Sequence, residues 1–320
     1  MSVNNNIKIE NSSLYGIDSL NTLMLLLGIH REDELCKLCS VENYNIYYTG
    51  PKKRLVEAPY KRLKLIQKKF NNYLQKIETP EYVFAGRKKT SNILNAKVHI
   101  DCNDMMCADI KKFFPSTNII YVKQFLIKYL KMTEEVANIL SKILTVNNHI
   151  PTGAPSSVLL TYWSYKDTFD AIHVFAENIG IKMTIYVDDM TFSAKSKISR
   201  LLTPFVDKKL SSVGLTLHPE KIKRYKCSKY KHSTGVCIDK RHQMRIPNKT
   251  RKKLIDLIEG KNICDLTTQE LEKGISSIKY MQGIEPKAFQ HTLEKMKEEY
   301  KLRPKSEKMK KHRNKRYLYN

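Results

Sequence analysis

Leucines at 20, 23, 26 and 27, then at 35 and 38, recur at helical spacing, so residues 19–39 are predicted helical. Residues 44–48 alternate as a strand does, Gly50-Pro51 marks a turn, and a basic strand-like run follows over 52–59. Leu63, Ile66, Phe70, Leu74 and Ile77 fall on one face of a predicted helix whose other face carries Lys61, Arg62, Lys64, Lys68 and Lys69. Alternation returns over 98–110. Helices are predicted over 120–131 and 134–145, a turn-rich stretch over 150–157, and one long amphipathic helix over 157–179. Residues 183–193 read as two apolar strands joined at Asp188-Asp189, 199–212 as a helix leading through Gly214 to a strand, and 230–246 as a further hairpin. The last third is predicted purely helical, over 249–259, 268–282 (opened by a Thr267/Glu270 capping box) and 287–301. Beyond Pro304 the chain is crowded with Lys and Arg, a composition expected to be disordered when free. Strand, helix, hairpin, helix, strand in the middle, with helices on either side, predicts an α+β fold around a split βαβ unit.

Charge narrows the partner class. The 320 residues hold 57 Lys and Arg against 32 Asp and Glu, a net charge of +25. Such a surplus favours a polyanion, nucleic acid before membrane, over the plainer reading of a generally basic protein. Seven cysteines, an odd number without framework spacing, point to a reduced, cytoplasmic protein. Cys36-x-x-Cys39 has no second ligand pair at zinc distance and sits at helical spacing. Leu23 to Leu27 is too short for a signal peptide, and no run is long enough to span a membrane.

The chemistry concentrates in two short apolar segments. Asp109 ends the strand-like 106–110, and Asp188-Asp189 sits between the apolar arms Met183, Ile185, Val187 and Met190, Phe192. A carboxylate on a buried strand is costly unless a cation or hydrogen bonds satisfy it. Three at one sheet edge suggest a pair of Mg²⁺ ions, which would clamp attacking and leaving oxygens in phosphoryl transfer. The plainer alternatives are an Asp-Asp turn that caps its own backbone, and a strand-end Asp109 paired with Lys111 or Lys112. By strand alternation, one of Phe113 and Phe114 faces the core, and the other can stand over a nucleotide sugar. Phe114 there would collide with a ribose 2′-hydroxyl; simple core packing is the alternative. In Pro151-Thr152-Gly153-Ala154-Pro155-Ser156-Ser157, Gly153 permits close backbone approach and the two serines suit a helix cap. The loop reads either as pressed against template and nucleotide or as an ordinary helix-entry turn.

Asp109-x3-Phe113-Phe114, the Pro-x-Gly-x-Pro-Ser loop and Tyr186-Val187-Asp188-Asp189 occur in an order and spacing that resemble reverse transcriptase motifs A, B and C. Val213-Gly214-Leu215 with Lys221 resembles motif D, whose lysine lies near the departing pyrophosphate, and Ser233-Thr234-Gly235 resembles the primer-grip hairpin. Asn95-Ala96-Lys97-Val98-His99 is similar to the N-A-x-x-H element of bacterial retron reverse transcriptases. Ser233-Thr234-Gly235 is similar to their V-T-G element, and 54–67 to the start of their fingers. The resemblance spans about 20–300. Thr152 departs from the Gln that usually touches the nucleotide, and Val187 from the Ala common in bacterial relatives.

The resemblance implies a right-hand polymerase: fingers over 1–98 and 118–155, a ferredoxin-like palm over 99–117 and 156–240, and a helical thumb with a basic tail over 241–320. It implies Asp109 and Asp188 as ligands of two Mg²⁺ ions, supported by Asp189, and Phe114, Thr152, Gly153 and Lys221 beside the dNTP. RNA contacts are expected from Asn95, His99, Ser233, Thr234 and Gly235, and from the basic residues Lys249, Arg251, Lys252, Lys253 and 305–316; for Asn95 and His99 a core role stays open. The implied partners are a cognate structured noncoding RNA serving as template and primer, its branched msDNA product, a cellular RNase H and an effector protein in antiphage defence. After the palm about eighty residues remain, too few for an RNase H domain. Another bacterial reverse transcriptase, of the group II intron or defence type, and a catalytically silent RNA-binding scaffold are the competing readings.

Overall fold

The helical and strand periods are realised in chain order as α1 (Leu20–Leu27), α2 (Glu32–Leu38), β1 (Tyr44–Thr49), β2 (Arg54–Pro59), α3 (Lys61–Leu74), α4 (Asn92–Val98), β3 (Asp104–Asp109), α5 (Phe113–Ser116), α6 (Ile119–Lys128), α7 (Glu134–Leu144), α8 (Ser157–Ser164) and α9 (Lys166–Asn178). The chain continues through β4 (Lys182–Tyr186), β5 (Asp189–Ala194), α10 (Leu202–Ser211), β6 (Lys223–Tyr225), β7 (Lys231–Ser233), β8 (Val236–Ile238), β9 (Met244–Arg245), α11 (Asn248–Ile258), α12 (Thr268–Gln282) and α13 (Gln290–Leu302). This computed structural model describes residues 6–51 and 53–304, so the basic tail over 305–316 lies outside the described residues.

Two compact units share the chain. Among the described residues the first takes those from 6 to 91 together with 104–224; the second takes 92–103 and 225–304. In the first, four strands run in the order β4-β5-β3-β6, with β5 antiparallel to both β3 and β4. Reading β3, helices, β4-β5, α10, β6 along the chain gives the split βαβ arrangement that the sequence pattern predicts. Met106, Ala108, Ile185, Met190 and Phe192 from the sheet join Phe169 and Ile172 of α9 and Val206 and Leu210 of α10 in one core. That core makes the sheet a stiff platform for what its edge carries.

Several expectations need correcting. The single helix expected over 157–179 is broken at Tyr165, which leaves helical geometry (φ −120, ψ 21). Its ring is 2% exposed and packs 4.9 Å from Tyr121 and 6.2 Å from Phe113, so burial of one aromatic outweighs helix continuity. Residues 98–103 are the end of α4 and a turn, and the strand starts only at Asp104. The strand expected after Gly214 shrinks to a bridge between Leu217 and Ile110, with β6 following at 223–225. The hairpin expected over 230–246 is a three-stranded antiparallel sheet, β7-β8-β9.

In the second unit Ala96 of α4 and Val236 of β8 share a core with Leu254, Leu271, Ile278, Met281, Leu293 and Met296. By packing, 92–103 and 225–240 group with the helices that follow them, through Ala96 and Val236. The capping box is formed: Thr267 Oγ1 accepts from the Glu270 amide at 3.2 Å, and Glu270 Oε2 accepts from the Thr267 amide at 2.9 Å. Replacing Thr267 by Ala should lower stability by about 1 kcal/mol, whereas Thr267→Ser should keep it. Urea titration followed by circular dichroism reads the difference, and equal midpoints for both variants would refute the role of the cap.

Candidate active site

Strand register brings the carboxylates together. Asp109 at the end of β3 lies directly across from Asp189 at the start of β5, as Ala108 lies across from Met190. The β4–β5 connection closes between Tyr186 and Asp189, leaving Val187 and Asp188 as a two-residue turn. Val187 has φ +60, a left-handed conformation that a β-branched residue adopts at a cost of about 1–3 kcal/mol. The surrounding ladder holds it there, and the amide of Ile110 donates to the carbonyl of Asp188 at 2.9 Å. Asp188 is thus fixed to the extension of β3, beside Asp109.

Electrostatics at this edge are strained. Partial loss of hydration, then the charges of Asp188 and Asp109, push Asp189 up to about 6. Asp188 is raised by the same loss of hydration and by Asp109, against the opposing pull of Lys221 and Arg54. Asp109, 8% exposed, is gripped by Lys221, whose Nζ lies 2.7 and 2.8 Å from its two oxygens. Lys221 belongs to the 3-10 turn Pro219–Lys221, positioned where the amide of His218 donates to the Asp109 carbonyl at 2.8 Å. Three hard oxygen donors crowded at one rigid edge suit Mg²⁺, which takes carboxylates and keeps much of its own water. Asp109, Asp188 and Asp189 are the residues that could hold it. Among the described residues no group of three His, Cys, Asp or Glu forms a ready-made metal cage.

The flanking motifs differ in detail from expectation. Phe113 and Phe114 do not alternate along a strand. Lys112 turns the chain with φ +49, and the pair opens the short helix α5. Phe113 is buried against Tyr165 and Phe169, while Phe114 is only partly buried. In the 150–157 loop neither serine caps α8. Ser157 Oγ donates to the Pro151 carbonyl at 2.6 Å, and Ser156 Oγ is buried with no hydrogen-bond partner. Gly153 makes its close approach to the backbone of β2, and Thr152 bonds there too.

The expected RNA-binding residues divide into two sets. Asn95, His99 and Ser233 are 0%, 1% and 2% exposed, which corrects the expectation that they face RNA and suits the core role left open for the first two. Thr234 and Gly235 form a two-residue hairpin turn with φ +44 and +83. Helix α4 holds that turn: Asn92 Nδ2 donates to the Thr234 carbonyl at 2.8 Å, Thr234 Oγ1 donates to the Asn92 carbonyl at 3.0 Å, and Asn95 Nδ2 donates to Thr234 Oγ1 at 3.2 Å. The N-A-x-x-H and S-T-G elements, 139 residues apart at Asn95 and Thr234, are therefore one structural device. Lys249, Lys252 and Lys253 are exposed on α11, whereas Arg251 is tied to Glu285 at 2.6 Å.

Sequence reasoning missed three residues. Arg54 on β2 lowers the rise at Asp188, so its charge reaches the site. Glu57 is a fully buried acid in an otherwise basic run, and His149 Nε2 meets its Oε1 at 2.9 Å. The lone acid at 57 was the available signal.

A family model described as reverse transcriptase (RNA-dependent DNA polymerase) matches residues 49–318. The chain is 28% identical over 189 residues to the retron Se72 reverse transcriptase of Salmonella heidelberg (strain 579083-10), covering 57% of this chain and 50% of that protein. It is 31% identical over 183 residues to the retron Ec86 reverse transcriptase of Escherichia coli, covering 56% and 54%. With the retron Ec48 reverse transcriptase of Escherichia coli it shares 25% over 193 residues, 55% of this chain and 47% of that one. The chain spans about half the length of the curated relatives it matches.

The folded value of Asp189, about 6, lies above the ordinary 3.8, so the folded state holds this proton more tightly than the unfolded one. Its contribution to stability is full below the ordinary value and is lost as pH rises through the folded one. Asp189 stands exposed, and water keeps the effect small. In metal-free protein Asp189→Asn should shrink the loss of urea midpoint between about pH 5 and about pH 7.5. Mg²⁺ should raise the midpoint at the higher pH more for wild type than for the variant. Identical pH profiles for the two proteins would contradict the crowding.

Proposed function

Because the chain belongs to the reverse transcriptase family, we propose that it is an RNA-directed DNA polymerase of the retron type, with the β3–β5 edge as its catalytic centre. The observation that carries this reading is Asp109 in register with Asp189 beside the rigid Asp188 turn. The first unit supplies palm and fingers in this reading, and the helices from α11 onward form the thumb. No helix among the described residues is long and apolar enough to cross a membrane.

Asp109 and Asp188, with Asp189 alongside, would hold two Mg²⁺ ions, which when bound would supply Lewis acidity toward the attacking hydroxyl and the departing pyrophosphate. The rest falls to the chain's own groups. Lys221, half exposed and ion-paired to Asp109, has room to turn toward the leaving group and give it charge and a proton. Arg54 brings a second positive charge toward the triphosphate. Phe114, backed by the buried Phe113, stands where the 2′ position of a ribonucleotide would collide. The exposed Lys249, Lys252 and Lys253 of α11 meet phosphates of a structured RNA. The proposed product begins at a guanosine 2′-hydroxyl of that RNA and stays joined to it as msDNA, in a defence system with an effector protein and a cellular RNase H.

The deciding experiment gives labelled dNTPs and Mg²⁺ to protein co-expressed with its neighbouring genomic RNA. Labelled DNA that stays attached to RNA until a debranching enzyme acts is the expected result. Extension only from an added 3′-hydroxyl primer would leave a reverse transcriptase of another kind, and no incorporation at all would favour a silent scaffold. Asp188→Asn should reduce incorporation by about a thousandfold or more while RNA affinity in a filter assay stays close to wild type. Phe114→Val should raise the use of ribonucleotides relative to dNTPs at least about tenfold; unchanged discrimination would remove Phe114 from the sugar contact.

A further inference from the structure

We infer that Thr152, Glu57 and His149 form a clasp joining the 150–157 loop to β2, and that Thr152 positions the site of the incoming nucleotide without touching it. The inference rests on the polymerase reading above.

Among the described residues strand β2 has a strand partner on one side only, β1. Its register with β1 pairs Val56 with Tyr47 and Ala58 with Asn45, and the Tyr60 amide donates to Asn43 at 2.7 Å. The even-numbered residues thus bond to β1, and Leu55 and Glu57 turn their backbone groups to the opposite edge. Unmet, those groups would be an open strand edge. One hydroxyl takes the place of a neighbouring strand there: Thr152 Oγ1 donates to the Leu55 carbonyl at 2.9 Å and accepts from the Glu57 amide at 3.1 Å.

Glu57 completes the clasp from its own side. Its side chain, 1% exposed, accepts from the Thr152 amide at 3.3 Å through Oε2 and meets His149 Nε2 at 2.9 Å through Oε1. A Cβ on Gly153 would lie 2.7 Å from the Glu57 carbonyl oxygen and 3.1 Å from Ala58 Cα, both backbone atoms with little room to yield. Loop and strand therefore meet backbone to backbone, a contact only glycine allows at this position.

The clasp sets the distance between two walls. β2 carries Arg54, whose charge reaches Asp188, and the loop leads into α8. The Thr152 hydroxyl gives its single proton to β2 and has none to donate to a nucleotide. Its contribution is to hold the loop and the Arg54 strand in register, and the nucleotide meets the loop through its backbone.

Single-nucleotide incorporation on a primed RNA template, with Mg²⁺ and varied dNTP, tests this. Thr152→Val keeps shape and removes the hydroxyl; it should raise dNTP KM about tenfold while kcat changes less than about twofold, and Thr152→Ser should restore wild-type KM. Hydrogen exchange at the Glu57 amide should accelerate in Thr152→Val and not in Thr152→Ser. If the valine protein fails to fold, Glu57→Gln loosens the same clasp and should raise KM in the same direction. A valine variant with wild-type KM and an equally protected Glu57 amide overturns the inference. A wild-type protein that incorporates nothing overturns the polymerase reading instead, and the exchange comparison then decides the clasp by itself.

Discussion

Holding three carboxylates within one corner of a sheet is the constraint on which the rest of the first unit depends. Asp109 and Asp189 face each other across β3 and β5, and Asp188 is pinned beside them by the Ile110 amide. Loss of hydration first, and then the mutual repulsion of the neighbouring carboxylates, raises Asp188 and Asp189. A flexible edge would relieve it by spreading. The edge does not spread, because Met106, Phe192 and Met190 behind it are 0% exposed and locked into the core. The energy of packing sustains a local arrangement that is unfavourable by itself.

The turns that matter share a second feature: residues other than glycine in left-handed conformations. Val187, Lys112 and Thr234 all have positive φ, and none is a residue type that favours it. Each is held by its surroundings. The β4–β5 ladder fixes Val187, the amide of Ser116 donates back to the Lys112 carbonyl at 2.8 Å, and Asn92 and Asn95 embrace Thr234. Local propensity is overruled at these points by tertiary contacts, and each point stands next to a motif that carries chemistry or recognition.

This explains which parts of the fold could be read from sequence. The apolar hairpin that carries Asp188, the strand that carries Asp109, the basic helix through Leu63 and Phe70 and the Thr267 cap follow from period and local chemistry and are present, although the hairpin turns one residue earlier, the strand starts later and the helix stops short of Ile77. The break at Tyr165 does not follow, because the apolar spacing of 157–179 is helical throughout and the rings that draw Tyr165 out of the helix, Tyr121 and Phe113, are distant in sequence. Phe113 and Phe114 continue an apparent alternation, and the left-handed Lys112 that ends it is invisible to composition. Glu57 and His149, 92 residues apart, have no shared signal in the chain at all. The candidate carboxylates Asp109, Asp188 and Asp189 could be named from sequence because each sits in a short apolar segment; the clasp could not, because it depends on which edge of β2 is left without a strand.

The distribution of acids in so basic a chain carries the same logic further. Only 32 acidic residues stand against 57 basic ones, so an acid that is buried has a choice of partners. Among the described residues the buried acids are Glu57, Asp109 and Asp239, and each takes a basic side chain: His149, Lys221 and Arg245 at 2.9, 2.7 and 2.8 Å. Asp188 and Asp189 make no such pair among the described residues, although Lys221 and Arg54 are close enough to act on Asp188. Both are less buried than those three acids, so water shares in satisfying them. Lys221 already spends its charge on Asp109, and a half-exposed ammonium is the easiest of these partners to exchange. The strand register thus gathers three carboxylates around one half-exposed lysine, an excess of negative charge that a hard cation would offset.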